Sequence, residues 1–230
     1  MSAAVEKLLQ SLDARVQRAE TLEAAARNGV GAPGLKLHWE TLDALLPDGG
    51  LPSGVSEFSA PKALGGVSRI AVRAICAAQN QDEHAWCAWI DPEASLYAPG
   101  LAQSGVDLSR LLVVRPKREQ LGRIALKVVR SGAFDVAILD MDPVGGAQAL
   151  TRDRPPELLV RQLSLAAQES GTHVVLLSDL GLPRAAPWPV ALRLEVQRLS
   201  PNQLSVRIAK ERHGRASSPL RVGFESIASS

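Results

Sequence analysis

Ser56 to Ile70, SEFSAPKALGGVSRI, runs from a short apolar strand through a glycine turn into a helix, the outline of a phosphate-binding loop. Such a loop works through converging backbone N–H groups, a lysine on the outer phosphates, and a Ser or Thr hydroxyl on magnesium. The candidate remnant here is Pro61, Lys62, Gly65, Gly66, Val67 and Ser68. Where the motif places Lys followed by Ser or Thr, this chain has Gly66-Val67 in one register and Val67-Ser68 in the other. Lys62 comes several residues too early. The favoured reading is a strand-to-helix turn whose glycines serve geometry alone. The alternative is a loop that still binds a triphosphate, with Lys62 as a displaced cation.

Two further stretches supply carboxylates. AFDVAILDMDP ends an apolar strand in Asp140, the form of a strand whose carboxylate organises magnesium. WCAWIDPEASLYAPGL adds Asp91 and Glu93 at another strand's C-terminal end, where α/β sheets place their ligands. Three carboxylates are thus expected to converge beside a loop without its lysine. Like charges held together favour a bound cation or an open, wet edge. His38, His84, His173 and His213 show no ligand spacing, and no metal site is assigned. Cys76 and Cys87 sit in apolar settings and read as two buried thiols in a reducing compartment.

These residues need a scaffold, and the chain's periodicity describes one. Its 230 residues are 46% hydrophobic, enough for a real core. Apolar β-type runs occur at Val55–Phe58, Ala85–Ile90, Leu111–Val114, Val136–Leu139 and Val174–Leu177. Helical stretches fall between them near 66–79, 95–104, 117–131 and 156–169. Continuous apolar strands alternating with helices predict a parallel sheet covered on both faces. In the 117–131 helix, Leu121, Ile124, Ala125, Val128 and Val129 are the expected buried stripe. After residue 190 the pattern alternates by two around a Ser-Pro-Asn-Gln turn, predicting an antiparallel hairpin with PLRVGF as a last strand. The fold expected is α/β, a mainly parallel sheet flanked by helices with an antiparallel C-terminal edge. An amphipathic helix from about Ala3 to Arg27 precedes it. The domain division is 1–36 for helix and linker, 37–225 for the core and 226–230 for a tail.

Charge is unevenly spread. Residues 115–130 carry +5 and residues 184–221 carry +6, leaving −9 elsewhere against +2 overall. Such asymmetry suits an anionic partner, although a basic helix face is often simply solvated. The candidates for partner or DNA contact are Arg118, Arg123, Lys127, Arg184, Lys210, Arg212 and Arg215. Aromatic residues are only 3%, too few for base-stacking platforms, so any nucleic-acid contact would be electrostatic. No apolar run approaches membrane-spanning length, and a cytoplasmic location is expected.

Taken together the stretches resemble the RecA family, from about Leu37 to Phe224. DALLPDGGLPSGVSEF looks like the approach to the RecA phosphate loop, and RSGAFDVAILD like its magnesium-organising strand, with Asp140 at the key position. WIDPEASLYAPGLAQSGVDLSRLLVVRP is similar to the segment bearing the RecA catalytic glutamate, which falls on Glu93. In VRIAKERHGRASSPLRVGF, Lys210 and Arg212 match a basic pair that RecA uses across protomers. The nucleotide-sensing glutamine of RecA falls on Ser178 or Asp179. Within the superfamily, LYAPGLAQSGVDLSRLLVVRP together with the missing lysine most resembles the ImuA branch of bacterial mutagenesis cassettes; the shorter SulA branch is more distant.

That resemblance implies a non-catalytic accessory role in the SOS response to DNA damage. The protein would support or regulate translesion synthesis by binding RecA, an ImuB-type adaptor, or DNA through the basic C-terminal part. No cofactor is assigned, since ATP with magnesium would meet a pocket without its cation. Two other readings stand beside it. One is a weak DNA-dependent ATPase with Glu93 as base and Asp140 on magnesium. The other is a passive basic DNA-binding module.

Overall fold

The computed structural model describes residues 34–61, 66–141, 156–181, 188–212 and 214–223. The expected N-terminal helix and the 226–230 tail lie outside these residues. So do Lys62, Gly65 and Arg184. Five helices and eight strands are named here in chain order among the described residues. The strands are β1 (Gly54–Ala60), β2 (Cys87–Ile90), β3 (Leu111–Val114), β4 (Val136–Asp140), β5 (His173–Asp179), β6 (Leu192–Ser200), β7 (Gln203–Glu211) and β8 (Leu220–Gly223). The helices are α1 (Glu40–Asp43), α2 (Val67–Gln81), α3 (Ala98–Gln103), α4 (Leu121–Arg130) and α5 (Pro156–Ser170).

All eight strands form one sheet in the order β3-β2-β4-β5-β1-β6-β7-β8. Pairing is parallel from β3 through β6 and antiparallel at β6–β7 and β7–β8. The α/β expectation with an antiparallel C-terminal edge is therefore met. β6 itself runs parallel to β1, and just before it Ala191 N donates to Val55 O at 2.9 Å, beside the start of β1.

Two apolar clusters cover the two faces. On one, α1, α2 and α3 pack over Phe58, Trp89, Ile138, Val175 and Leu177 together with Leu194, Leu204 and Val206 of the hairpin. On the other, α4 and α5 pack over Val55, Ile90, Ala137, Leu139, Val174 and Leu176. Every residue of β1 is buried, since it has strands on both sides and helices on both faces. α2 buries Ile70, Ala71, Ala74, Ile75, Ala77 and Ala78 against the sheet.

Three local expectations change. The buried stripe of α4 is Leu121, Gly122, Ala125 and Val129, while Ile124 and Val128 are only half-buried. Gly122 belongs to the stripe because α5 presses on it: a Cβ there would meet Leu159 Cδ2 at 3.1 Å. β3 exposes Leu112 and Val113, because it is the sheet edge and has no neighbour beyond it. α1 and the bridge between Leu35 and Leu51 carry no periodic signal long enough to read from the chain.

The start of β3 is clamped to the end of α2. Arg110 donates to the carbonyls of Gln79, Asp82 and Glu83, and Gln79 Nε2 donates to Asp107 O at 3.0 Å. Hydrogen bonds from the Ser109 hydroxyl, then from Arg110, hold the exposed Asp107 carboxyl down from 3.8 to about 2. A lowered folded-state value stabilises the fold above the unfolded value and is lost as pH falls through the folded one. Asp107→Asn is therefore expected to melt below the parent at neutral pH. The gap should close as pH drops from 3.8 to about 2, which paired thermal melts would show.

Candidate functional site

β1 ends at Ala60, and α2 begins at Val67 with Gly66 at its N-cap position, where no side chain caps the helix. This is the strand-turn-helix outline of a phosphate loop, but its apolar content decides what it can do. A Cβ placed on Gly66 would lie 2.4 Å from Leu204 Cδ2. Leu204 is fully buried on β7. Val67, the other position for the lysine, packs half-buried against the same cluster. Ser68, the one hydroxyl in the turn, is exposed. A side chain at residue 66 would therefore press on Leu204, while residue 67 is half-buried beside the same cluster. Pro61 is half-buried at the mouth of the turn.

The carboxylates do not gather as expected. Asp91 is fully buried and spent on its own loop: it accepts from Ser95 N at 3.0 Å, Ser95 Oγ at 3.2 Å and Leu96 N at 3.0 Å. Those bonds hold a tight turn in which Ala94 takes a φ of 54°, a left-handed conformation uncommon for a residue with a Cβ. The turn carries Glu93 outward to an ion pair with Arg118, 2.6 Å away, each side chain 35% exposed. Asp140 closes β4, half-buried and paired in register with Leu177. Among the described residues no group of three His, Cys, Asp or Glu is placed to hold a metal ion. The spacing suggested convergence because all three end parallel strands. The β2 loop instead consumes one carboxylate inside the fold and turns another to the surface.

A polar network that the chain's pattern did not announce lies between β1, β5 and β6. Glu57 is fully buried, and Ser178 Oγ donates to its Oε1 at 2.6 Å. Arg193, the register partner of Glu57, brings Nε to 3.8 Å from Oε2. Arg193 also approaches Glu195 at 3.7 Å, and Glu195 is paired with Arg207. The hydroxyl expected near the nucleotide sensor is thus tied inward to a core carboxylate. The other sensor candidate, Asp179, accepts from Gly181 N at 2.8 Å within its own turn. The signal available in the chain was Glu57 itself, the one charged residue of β1.

The basic candidates separate into used and unused charges. Arg118 holds Glu93, and Lys210 Nζ donates to Trp188 O at 2.8 Å. Arg212 and Arg215 are exposed near the end of β7, and Arg123 and Lys127 are exposed on α4. Both thiols are buried: burial pushes Cys87 up to about 12 and raises Cys76, whose Sγ donates to Ser104 O. No helix among the described residues is long and apolar enough to cross a membrane.

A mainly parallel sheet in which β1 leads toward α2 and β4 ends in a carboxylate defines an α/β core of the phosphate-loop type. The family is more specific. Residues 9–150 match the RecA N-terminal domain, and the chain belongs to the RecA family. Its relatives include Protein RecA of Kineococcus radiotolerans, 30% identical over 186 residues, covering 69% of this chain and 53% of that protein. Protein RecA of Brucella anthropi is 30% identical over 174 residues, covering 71% and 47%. Protein RecA of Acinetobacter baumannii is 40% identical over a shorter 102 residues, 44% and 28%. The chain spans about half the length of the first two.

Proposed function

We propose that this chain is an accessory RecA-family protein that works by binding partners and does not turn over ATP. The observation that carries this reading is that Gly66 and Val67 stand where the lysine is needed, with Leu204 Cδ2 only 2.4 Å from where a Cβ on Gly66 would lie. Charge developing on a transferring phosphoryl group needs a fixed cation, and losing one such donor costs about 3–4 kcal/mol of barrier. The Glu93–Arg118 pair adds support, because it holds the base-position carboxylate against another side chain.

The setting proposed is cytoplasmic, in the SOS response to DNA damage. There the protein would support or regulate translesion synthesis beside RecA and an ImuB-type adaptor, as members of the ImuA branch are placed. The LYAPGLAQSGVDLSRLLVVRP segment, from the β2 loop through β3, supports that branch. DNA contact through Arg212 and Arg215 is a second reading, favoured because both are exposed and neither forms an ion pair among the described residues.

ATP hydrolysis measured with and without single-stranded DNA tests the reading. Turnover at or below the level of a Glu93→Gln control is the expected result. Clear DNA-stimulated turnover that Glu93→Gln abolishes would return the weak-ATPase account. Pull-down against RecA and an ImuB-type adaptor tests the partners, and capture of neither removes their support.

A further inference from the structure

α4 and α5 each join two parallel strands across the same sheet face, so both run against the strands and parallel to one another. They touch at Gly122 and Leu159, near their N-terminal ends. Helical periodicity carries the seam from that contact along Leu126 of α4 and Leu158, Gln162 and Leu165 of α5. Leu126 is half-buried at the base of the seam. Leu158 and Leu165 form its outer lip, 42% and 54% exposed, two turns or about 10 Å apart. Gln162 Oε1 is buried there with no hydrogen-bond partner.

The charge on the α4 side of this seam has one sign, whereas α5 adds the exposed Arg161 and Glu169. Arg123, Lys127 and Arg130 project from the outward face of α4, which contains no carboxylate from Leu121 to Arg130. None of the three forms an ion pair among the described residues. Arg118, Arg193 and Arg207, by contrast, each lie against a carboxylate.

We propose that the α4–α5 seam docks an acidic amphipathic segment of a partner protein. Its apolar side chains would fill the lip between Leu126, Leu158 and Leu165, and its carboxylates would face Arg123, Lys127 and Arg130. The inference rests on the partner-binding reading above and names the surface it uses. Exposed leucines gain nothing against a phosphate backbone, so a protein segment suits the seam better than a nucleic acid. A second copy of the chain would set these cations against their own kind, which opposes self-association.

The test uses the full chain and a fluorescent synthetic peptide with leucines on one helical face and glutamates elsewhere. A scrambled peptide of identical composition and a single-stranded oligonucleotide of equal charge serve as comparison probes. The patterned peptide should bind at least about tenfold more tightly than the scramble, with Leu165→Ser and Lys127→Glu each weakening it about tenfold. Both sites are exposed, and unchanged melting temperatures would show that the variants fold. Equal binding of the scramble, or none of either, overturns the proposal. So does tighter binding of the oligonucleotide that ignores Leu165→Ser, or self-association that Leu165→Ser removes. ATP turnover with peptide binding intact would sink the non-catalytic reading alone; loss of peptide binding without turnover would sink this one alone.

Discussion

Gly66→Lys destabilises the protein by about 1–3 kcal/mol and creates no ATP turnover. The reason is the 2.4 Å gap between a Cβ at residue 66 and Leu204 Cδ2. Leu204 is fully buried in the same cluster as Val206, Leu194 and Val222, so its side chain must shift within the core to make way. Forcing one more carbon into a closed core displaces rotamers on β7 and tilts the first turn of α2. In a domain of this size each kcal/mol lowers the melting temperature by about 2–4 °C. Leu204→Ala alone costs about 2–5 kcal/mol by leaving a cavity. Combining them relieves the clash, so the double variant loses less than the sum, by about 1–3 kcal/mol. Denaturant titration of the four proteins measures that coupling. Additive losses would mean that Leu204 does not occupy the space, and a Gly66→Lys protein that hydrolyses ATP would mean the pocket lacked only its cation.

Arg193→Ala is expected to cost about 2–3 kcal/mol, below the 3–5 typical of a fully buried pair. Its partner Glu57 sits fully buried in the central part of the sheet, so removing the guanidinium leaves a core carboxylate poorly balanced. The discount reflects a side chain still 21% exposed and held at 3.8 Å, where water screens part of the attraction. Adding Glu57→Gln should restore part of the loss, because an amide keeps an acceptor for Ser178 Oγ without a buried charge. Urea midpoints for the single and double variants check this. A double variant weaker than Arg193→Ala by itself would show that the Glu57 charge is not the cause.

Much of the scaffold could be read before any coordinates. The alternation of apolar runs with helical spacing set out β1 to β5 and the four helices between them within a few residues, because both periods are local properties of the chain. The hairpin followed from strict alternation around Pro201-Asn202. Local reading failed where a neighbour in space sets the outcome. Leu112 and Val113 resemble core residues in their apolar run, yet sheet order puts them at an edge. Asp91 and Glu93 look equivalent at the end of β2, yet one is buried and hydrogen-bonded within its loop and the other reaches Arg118.

The chain by itself determined that a nucleotide-type sheet would form and that no lysine would stand at residues 66 or 67. Only the tertiary structure decided what fills that place. Leu204 and Gly66 lie far apart in sequence, and their contact depends on β6 and β7 joining beyond β1 on the same face as α2. The buried pairing of Glu57 with Arg193 has the same origin, arising where β1 and β6 come into register. Spacing along the backbone fixes which groups share an element, whereas desolvation and contact arise between elements, after the sheet has chosen their neighbours.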